Sequence, residues 1–270
     1  RLFTPFQPLS ADLIRLPLSE SVNARLGGLD VLHEIDSTSE YLKRTKSRHN
    51  PCCIRVCAAE WQSSGRGRRG RRWVSPYGTN VYLSLAMQLS KSILRYGGLS
   101  LAAAVAVLQA IRDCGIDDLG VKWPNDIFYQ GRKIAGILLD LSGESSGPFY
   151  VVLGIGVNLK IPDRAGREID QPWADLSQSG VKLDRNYLAG RILEAVVLAV
   201  DGFSEKGLEA FIHEWERFDL LSGRVVEMHH EGKSMITGVA RGIDADGALL
   251  VERNGVTSRF HAGEVSVRAA

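Results

Sequence analysis

The sequence is poor in cysteine, proline and aromatic residues, carries almost no excess of either charge, and lacks any long apolar run. Four cysteines (Cys52, Cys53, Cys57 and Cys114) in 270 residues, three of them crowded together, do not make a disulfide frame and suit reduced thiols in a cytoplasm. No His or Cys pair stands at a second ligand spacing, which argues against a zinc site. The longest nearly apolar stretch, Leu99 to Ile111, is well short of the roughly 20 residues that span a bilayer. No charged-then-apolar leader opens the chain, so neither membrane insertion nor export is expected. A net charge of +2 makes no overall case for nucleic acid. What is present is core-forming material: 44% of residues are apolar and the mean hydropathy is −0.06. That is enough for one large domain and a smaller one.

Period and punctuation outline the large domain. A strand is expected over Asp30 to Ile35, followed by Ser37-Thr38-Ser39-Glu40 as a capping box that starts a helix at Ser37. Ile54 to Ala59 reads as a buried strand, 63 to 72 as a loop, and Asn80 to Met87 as the next strand. The Ala- and Leu-rich stretch Leu99 to Cys114 predicts a core helix with Gly115 at its C′ position. Strands follow at Val121 to Trp123, Ile127 to Tyr129, Ile134 to Leu141 and Tyr150 to Asn158, with Gln130-Gly131 as a tight turn. Leu188, Ile192, Leu193, Val196 and Val197, then Leu208, Phe211, Ile212 and Trp215, predict two amphipathic helices. After about Leu221 short alternating runs broken by glycines predict a small β-barrel. The expected division is 1–220 and 221–270.

Basic character is concentrated in one loop. Gly65 to Arg72 reads GRGRRGRR, with five arginines and no acid, which leaves the rest of the chain net negative. Gly65, Gly67 and Gly70 match a dinucleotide fingerprint literally, but no helix start follows and no acid occurs from Arg71 to Arg112. Arginines about 6 Å apart repel by roughly 0.7 kcal/mol per pair even in water, so such a loop suits a visiting anion. It also fits a solvated basic loop. Lys122-Trp123-Pro124-Asn125-Asp126 places a cation, an aromatic, a turn and two polar groups at a strand end, where a plain turn is the alternative. Lys133 opens a strand too apolar for the surface, so its ammonium should point into a cleft. The glycines of Gly154-Ile155-Gly156-Val157-Asn158 let a ligand come close, or merely let strands pack.

In this order and spacing the four segments, with Asp36-Ser37-Thr38, resemble the bacterial biotin protein ligases, the biotin–acetyl-CoA-carboxylase ligases. The resemblance runs from about Asp36 to the C-terminus. It implies an α+β fold: a mixed β-sheet flanked by helices on one side, as in class II aminoacyl-tRNA synthetases, with a small C-terminal SH3-like β-barrel. It implies that Ser37, Thr38, Gln62, Gly65, Arg66, Arg68, Trp73, Tyr82, Lys133, Gly136 and Gly154 meet biotin. The usual Asn after Thr38 is Ser39 here, so Ser39 is left out. Arg66, Arg68, Arg71, Lys122, Asn125, Asn158, Trp173 and Arg241 fall on the nucleotide side. Lys133, Arg68, Lys122 and Asp126 are the implied catalytic set, with Asp126 holding loop arginines or the metal.

The same resemblance implies ATP and biotin as substrates, Mg²⁺ as the accompanying cation, and two steps. Biotin's carboxylate attacks the α-phosphate of ATP with release of pyrophosphate, and a lysine of the biotin carboxyl carrier protein then takes the biotinyl group. A lipoate ligase of the same fold is the alternative, and an RNA-binding arginine–glycine segment a weaker one, having no interleaved aromatics. Many bacterial members carry an N-terminal winged helix-turn-helix and act as repressors. Arg1-Leu2 resembles the end of that domain, so a fragment of a two-function protein is one expectation. No specific DNA binding by this chain is expected, and a homodimer is compatible with the resemblance.

Overall fold

The computed structural model describes residues 7–48, 50–89, 98–143, 148–230, 236–262 and 265–269. Two short helices, α1 (Ala11–Arg15) and α2 (Glu20–Arg25), precede β1 (Leu26–Ile35). Helix α3 (Thr38–Arg44) leads to β2 (Ile54–Gln62) and, across the arginine loop, to β3 (Val81–Leu89). Helix α4 (Leu99–Arg112) is followed by β4 (Leu119–Lys122), β5 (Asp126–Tyr129), β6 (Arg132–Ser142) and β7 (Phe149–Val157). A single turn, α5 (Asp163–Gly166), precedes the long helices α6 (Arg185–Lys206) and α7 (Glu209–Phe218). Strands β8 (Val225–His230), β9 (Ile236–Ile243), β10 (Leu249–Arg253), β11 (Val256–Phe260) and β12 (Val265–Ala269) close the chain.

The first seven strands make one mixed sheet in the order β1-β2-β3-β7-β6-β5-β4, parallel only between β1 and β2. Alternation decides which face each strand residue serves. On β3, Leu83, Leu85 and Met87 join the main core beneath α4 and α6, while Ala86 packs with Leu42 of α3, Cys57 and Val152 in a second, smaller cluster. Both faces of the central strands are therefore covered, which is why β3 is buried without interruption from Val81 to Met87. Helix α4 is buried on nearly every side, and its alanines let the sheet, α6 and α7 approach together. Asp184 caps α6, its Oδ1 accepting the Tyr187 N–H at 2.8 Å. The remaining strands form a five-stranded antiparallel sheet in the order β11-β10-β9-β8-β12, matching the SH3-like tail.

The expected fold class holds, with differences that have physical causes. The long helices lie on one face, but α3 covers the other, so the helices are not confined to one side. Helices α1 and α2 escaped the sequence reading because each buries a single side chain, Ile14 and Val22, too few to set a period. Strand β1 begins at Leu26 rather than Asp30. Gln130 (φ 48°) and Gly131 (φ 74°) make the turn read between β5 and β6. Helix α3 starts after Ser37 as expected, yet the capping box is not made: Ser37 Oγ pairs with Ser39 Oγ at 3.0 Å, and the Glu40 carboxylate turns to Lys43 and Arg66. The comparison made for Arg1-Leu2 lies outside the described residues.

Candidate active site

The N-terminus of α3 and the C-terminal end of β2 build a buried polar niche. Gln62 Oε1 accepts the Thr38 backbone N–H at 2.9 Å and the Thr38 hydroxyl at 3.2 Å, and its Nε2 donates to Ser75 Oγ at 3.1 Å. Thr38 Oγ1 and Ser84 Oγ are 2.7 Å apart. Ser37, Thr38, Ser39, Gln62, Ser75 and Ser84 are all buried, so their hydrogen-bonding capacity is committed to one another or kept for a ligand. Gly154 of β7 faces them: a Cβ there would lie 3.5 Å from Ser84 Oγ and 3.6 Å from Ser39. Ser39, left out on its identity, and Ser84 and Ser75, not read at all, thus belong to the niche. The signal for Ser84 was a hydroxyl inside an otherwise apolar strand. Tyr82, expected nearby, is buried with its hydroxyl donated to the Pro76 carbonyl at 2.8 Å, and burial pushes its pKa up.

Two residues along the same face of β7, about 7 Å away by strand geometry, the polar niche gives way to a cationic cleft. Gly156 lies opposite Gly136 of β6, and Trp73 fills the space both leave: a Cβ on Gly156 would come within 2.5 Å of the indole, one on Gly136 within 3.4 Å. The indole N–H is buried there with no partner. Lys133 Nζ stands 5.6 Å from the Trp73 ring centroid and 2.7 Å from Asp126 Oδ1, with only 13% of its side chain exposed. The pointer into a cleft read from its strand is therefore correct, and Asp126 is its counter-ion. Arg68 Nη1 reaches Asn125 Oδ1 at 3.4 Å. Burial holds the Arg68 pKa below its usual value, with Asp126 opposing and Arg69 and Arg71 adding to the depression. Asn125 is itself buried, donating from Nδ2 to the Ile137 carbonyl.

The arginine stretch forms a closed hairpin. Gly67 N–H donates to the Arg71 carbonyl at 2.7 Å, Trp73 N–H to the Gly65 carbonyl at 2.8 Å, and Arg66 pairs with Arg72 as an isolated bridge. Gly65 has no room for a side chain, since a Cβ would lie 2.6 Å from the Trp73 carbonyl. Its tip turns through Arg69 (φ 59°) and Gly70 (φ 72°). Arg66 Nη1 is 3.1 Å from Glu40, Arg72 Nη1 3.4 Å from Glu168, and Arg71 is exposed.

On the far side of Lys133 the chain returns as 158–174. Asn158, buried, donates from Nδ2 to the Ala174 carbonyl at 3.1 Å, and Lys133 N–H and carbonyl bond Pro172 and Ala174. Trp173 is thereby set beside Lys133, its Nε1 donating to the Gly166 carbonyl at 3.0 Å. Trp73, Trp173, Lys133, Asn158, Arg72 and Glu168 line one open cleft. Lys122 is half-buried at the end of β4, its Nζ 5.7 Å from the Phe128 ring centroid and its backbone position paired with Asp126. Arg241 is exposed on β9 and paired with Glu252 of β10 at 2.8 Å, within the small sheet. Among the described residues no group of three His, Cys, Asp or Glu is placed to hold a metal ion.

The arrangement offers a niche of hydroxyls and an amide beside Gly154, then an indole on a glycine floor with Lys133 against it and Arg68 nearby at Asn125: a site for a flat polar ring joined to an anion. The Biotin/lipoate A/B protein ligase family matches residues 31–158, and the Biotin protein ligase C terminal domain matches 221–268. The Bifunctional ligase/repressor BirA of Salmonella typhimurium is 37% identical over 98% of this chain and 80% of its own length. The biotin--[acetyl-CoA-carboxylase] ligase of Mycobacterium tuberculosis is 33% identical over 94% of this chain and 97% of its own. Among solved structures, the biotin protein ligase from Aquifex aeolicus in complex with biotin and ATP superposes with a TM-score of 0.74 at 29% identity, covering 91% of this chain and all of that one. With the fold, both family models and these relatives in agreement, the chain belongs to the biotin/lipoate protein ligase family, and within it to the biotin protein ligases.

Proposed function

We propose that this enzyme activates biotin with ATP to biotinyl-5′-AMP, releasing pyrophosphate, and passes the biotinyl group to a lysine of the biotin carboxyl carrier protein of acetyl-CoA carboxylase, forming an amide and releasing AMP. One observation carries this reading: the Thr38–Gln62–Ser84 niche borders Gly154 of β7, and the Lys133–Asp126 pair borders Gly136 of β6, which lies opposite Gly156 two residues further along, where the Trp73 indole packs on both glycines. A ureido ring, with one acceptor and two N–H donors, suits the niche, and its acyl chain then runs past Trp73 toward Lys133. The carrier follows from the chemistry named for the M. tuberculosis relative.

The first step brings two anions together, a carboxylate and an α-phosphate. A carboxylate is already a nucleophile, so the enzyme needs no base and contributes position and charge. Lys133 sits between the two anions and Arg68 beside the phosphate, the contact with Asp126 having aimed Lys133 beforehand. Trp173 and Asn158 form the nucleotide side. Mg²⁺ would accompany ATP as part of the substrate and neutralise charge on its phosphates. Trp73 and the closed hairpin keep water from the mixed anhydride. In the second step the incoming lysine must shed a proton, and Asp126 is the carboxylate at hand. Pyrophosphate exchange with biotin and with lipoate, followed by labelling of apo carrier protein, tests the reading. Exchange with biotin alone and a labelled carrier are expected; exchange with lipoate but not biotin would overturn it.

A further inference from the structure

Two acids that meet the arginine hairpin, Glu40 and Glu168, have no part in the chemistry just described. Arg66 and Arg72 lie opposite each other on the hairpin stem, where like charges on adjacent strands repel. Each meets a carboxylate from a different side. Glu40 comes from α3, the helix whose first residues are Thr38 and Ser39 of the niche, and accepts Arg66 at 3.1 Å. Glu168 comes from the segment that carries Trp173 and meets Arg72 at 3.4 Å across the mouth of the cleft lined by Trp73, Lys133 and Trp173.

Glu40 is also held in place from behind. The same Oε1 accepts Lys43 Nζ at 2.8 Å, and Lys43 is in turn 2.7 Å from Asp140 of β6, so a chain of charges runs from the sheet through α3 to the hairpin. Lys43 above all, then Arg66 and Arg44, hold the Glu40 carboxyl below its ordinary range and therefore ionised. This also explains why the capping box fails: its glutamate is engaged elsewhere.

We infer that Glu40 and Glu168 are positioning residues that clasp the arginine hairpin shut from its two sides, one on the biotin side and one on the nucleotide side. Neither touches the reacting atoms. Both act through the stem arginines, so that closure depends on the biotin niche and the nucleotide cleft being formed together. The consequence for catalysis rests on the proposed function, since what closure protects there is the adenylate. The clasp itself is a property of the protein without ligand.

The test uses the full chain, its Glu40→Gln and Glu168→Gln variants, and the swap Arg72→Glu with Glu168→Arg. Trypsin cuts after the loop arginines, and both glutamine variants keep every cleavage site. Exposed pairs of this kind are individually weak, so without ligand each variant is expected to be cut about two- to fivefold faster than the parent, with thermal midpoints unchanged. Salt should speed cleavage of the parent and leave Glu168→Gln little affected. With biotin and ATP, Glu40→Gln should form adenylate at the parental rate and release it faster by the same factor, and the swap should restore the retention that Glu168→Gln loses. Parental cleavage rates in both glutamine variants, or a swap that leaks like Glu168→Gln, overturn the clasp. A parent that makes no adenylate overturns the proposed function instead, while the cleavage rates still decide the clasp.

Discussion

Lys133 shows how far a single residue can be read. Its position at the head of an apolar strand was enough to aim it into a cleft, because an ammonium there has no solvent to reach. Its partner was not legible, since Asp126 arrives from the neighbouring strand by a register that shifts between Ile127 and Phe128. Lys133→Ala removes the cation between two anions in a shielded site and is expected to cost about 3 kcal/mol of barrier. Pyrophosphate exchange should fall by two orders of magnitude or more, and near-normal exchange would remove Lys133 from the reaction. Arg68→Gly has a different signature, since it loses one anion contact and loosens the hairpin. It should still form adenylate but release it early, visible as free biotinyl-adenylate in solution. Gln62 and Thr38 were legible through the family motif, whereas Ser75, in the loop before β3, was not, and Ser84 stood out only as a hydroxyl in an apolar strand: a lone serine says nothing of which neighbour its hydroxyl meets.

At the scale of elements, α3 and the hairpin behave as one unit. The helix start was readable from Ser37 to Glu40, but the box was the wrong reason, and sequence spacing cannot tell a glutamate bonded to its own helix from one reaching a loop 26 residues away. The hairpin's internal bonds lower the entropy left to lose on closure, yet its arginines still repel. Biotin with ATP is therefore expected to slow tryptic cleavage within 63–72, and equal cleavage with and without ligand would deny the hairpin a gating role. The acids of this unit set a pH dependence. Arg44 holds the Asp36 carboxyl below its ordinary range, and Lys43 does the same for Glu40. A depressed folded pKa stabilises above the unfolded value and is lost as pH falls through the folded one. Protection of 38–44 in hydrogen exchange should therefore hold at neutral pH and weaken from about pH 4 downward, where carboxylates protonate.

For the molecule as a whole, the two sheets were separable in the sequence by their texture, but the seam between them was not. The main hydrophobic cluster runs without a break from α4 and α6 into Val226, Met228, Ala240 and Leu249 of the small sheet. Trp123, in the turn that also presents Asn125, donates its Nε1 to the Gly247 carbonyl at 3.0 Å, and Leu220 N–H donates to the Val121 carbonyl at 2.9 Å. Trp123→Phe keeps most of the volume and strands that carbonyl, an expected loss of about 1–3 kcal/mol in urea denaturation with the slope unchanged. Because the hairpin holds only five arginines and two of them, Arg66 and Arg72, are paired with acids, DNA affinity of this 270-residue chain should be weak and fall steeply with salt. Tight binding to one operator would contradict that. Gly247 turns at φ 83° against Leu101, so closely that a Cβ would lie 2.6 Å from its methyl. Tail and body have therefore been fitted to each other atom by atom. A chimaera that takes its last fifty residues from a relative would inherit the strands of the small sheet but not a matching seam. Exchange of this region between lineages would have to carry the leucines of the α4 and α7 side along with it.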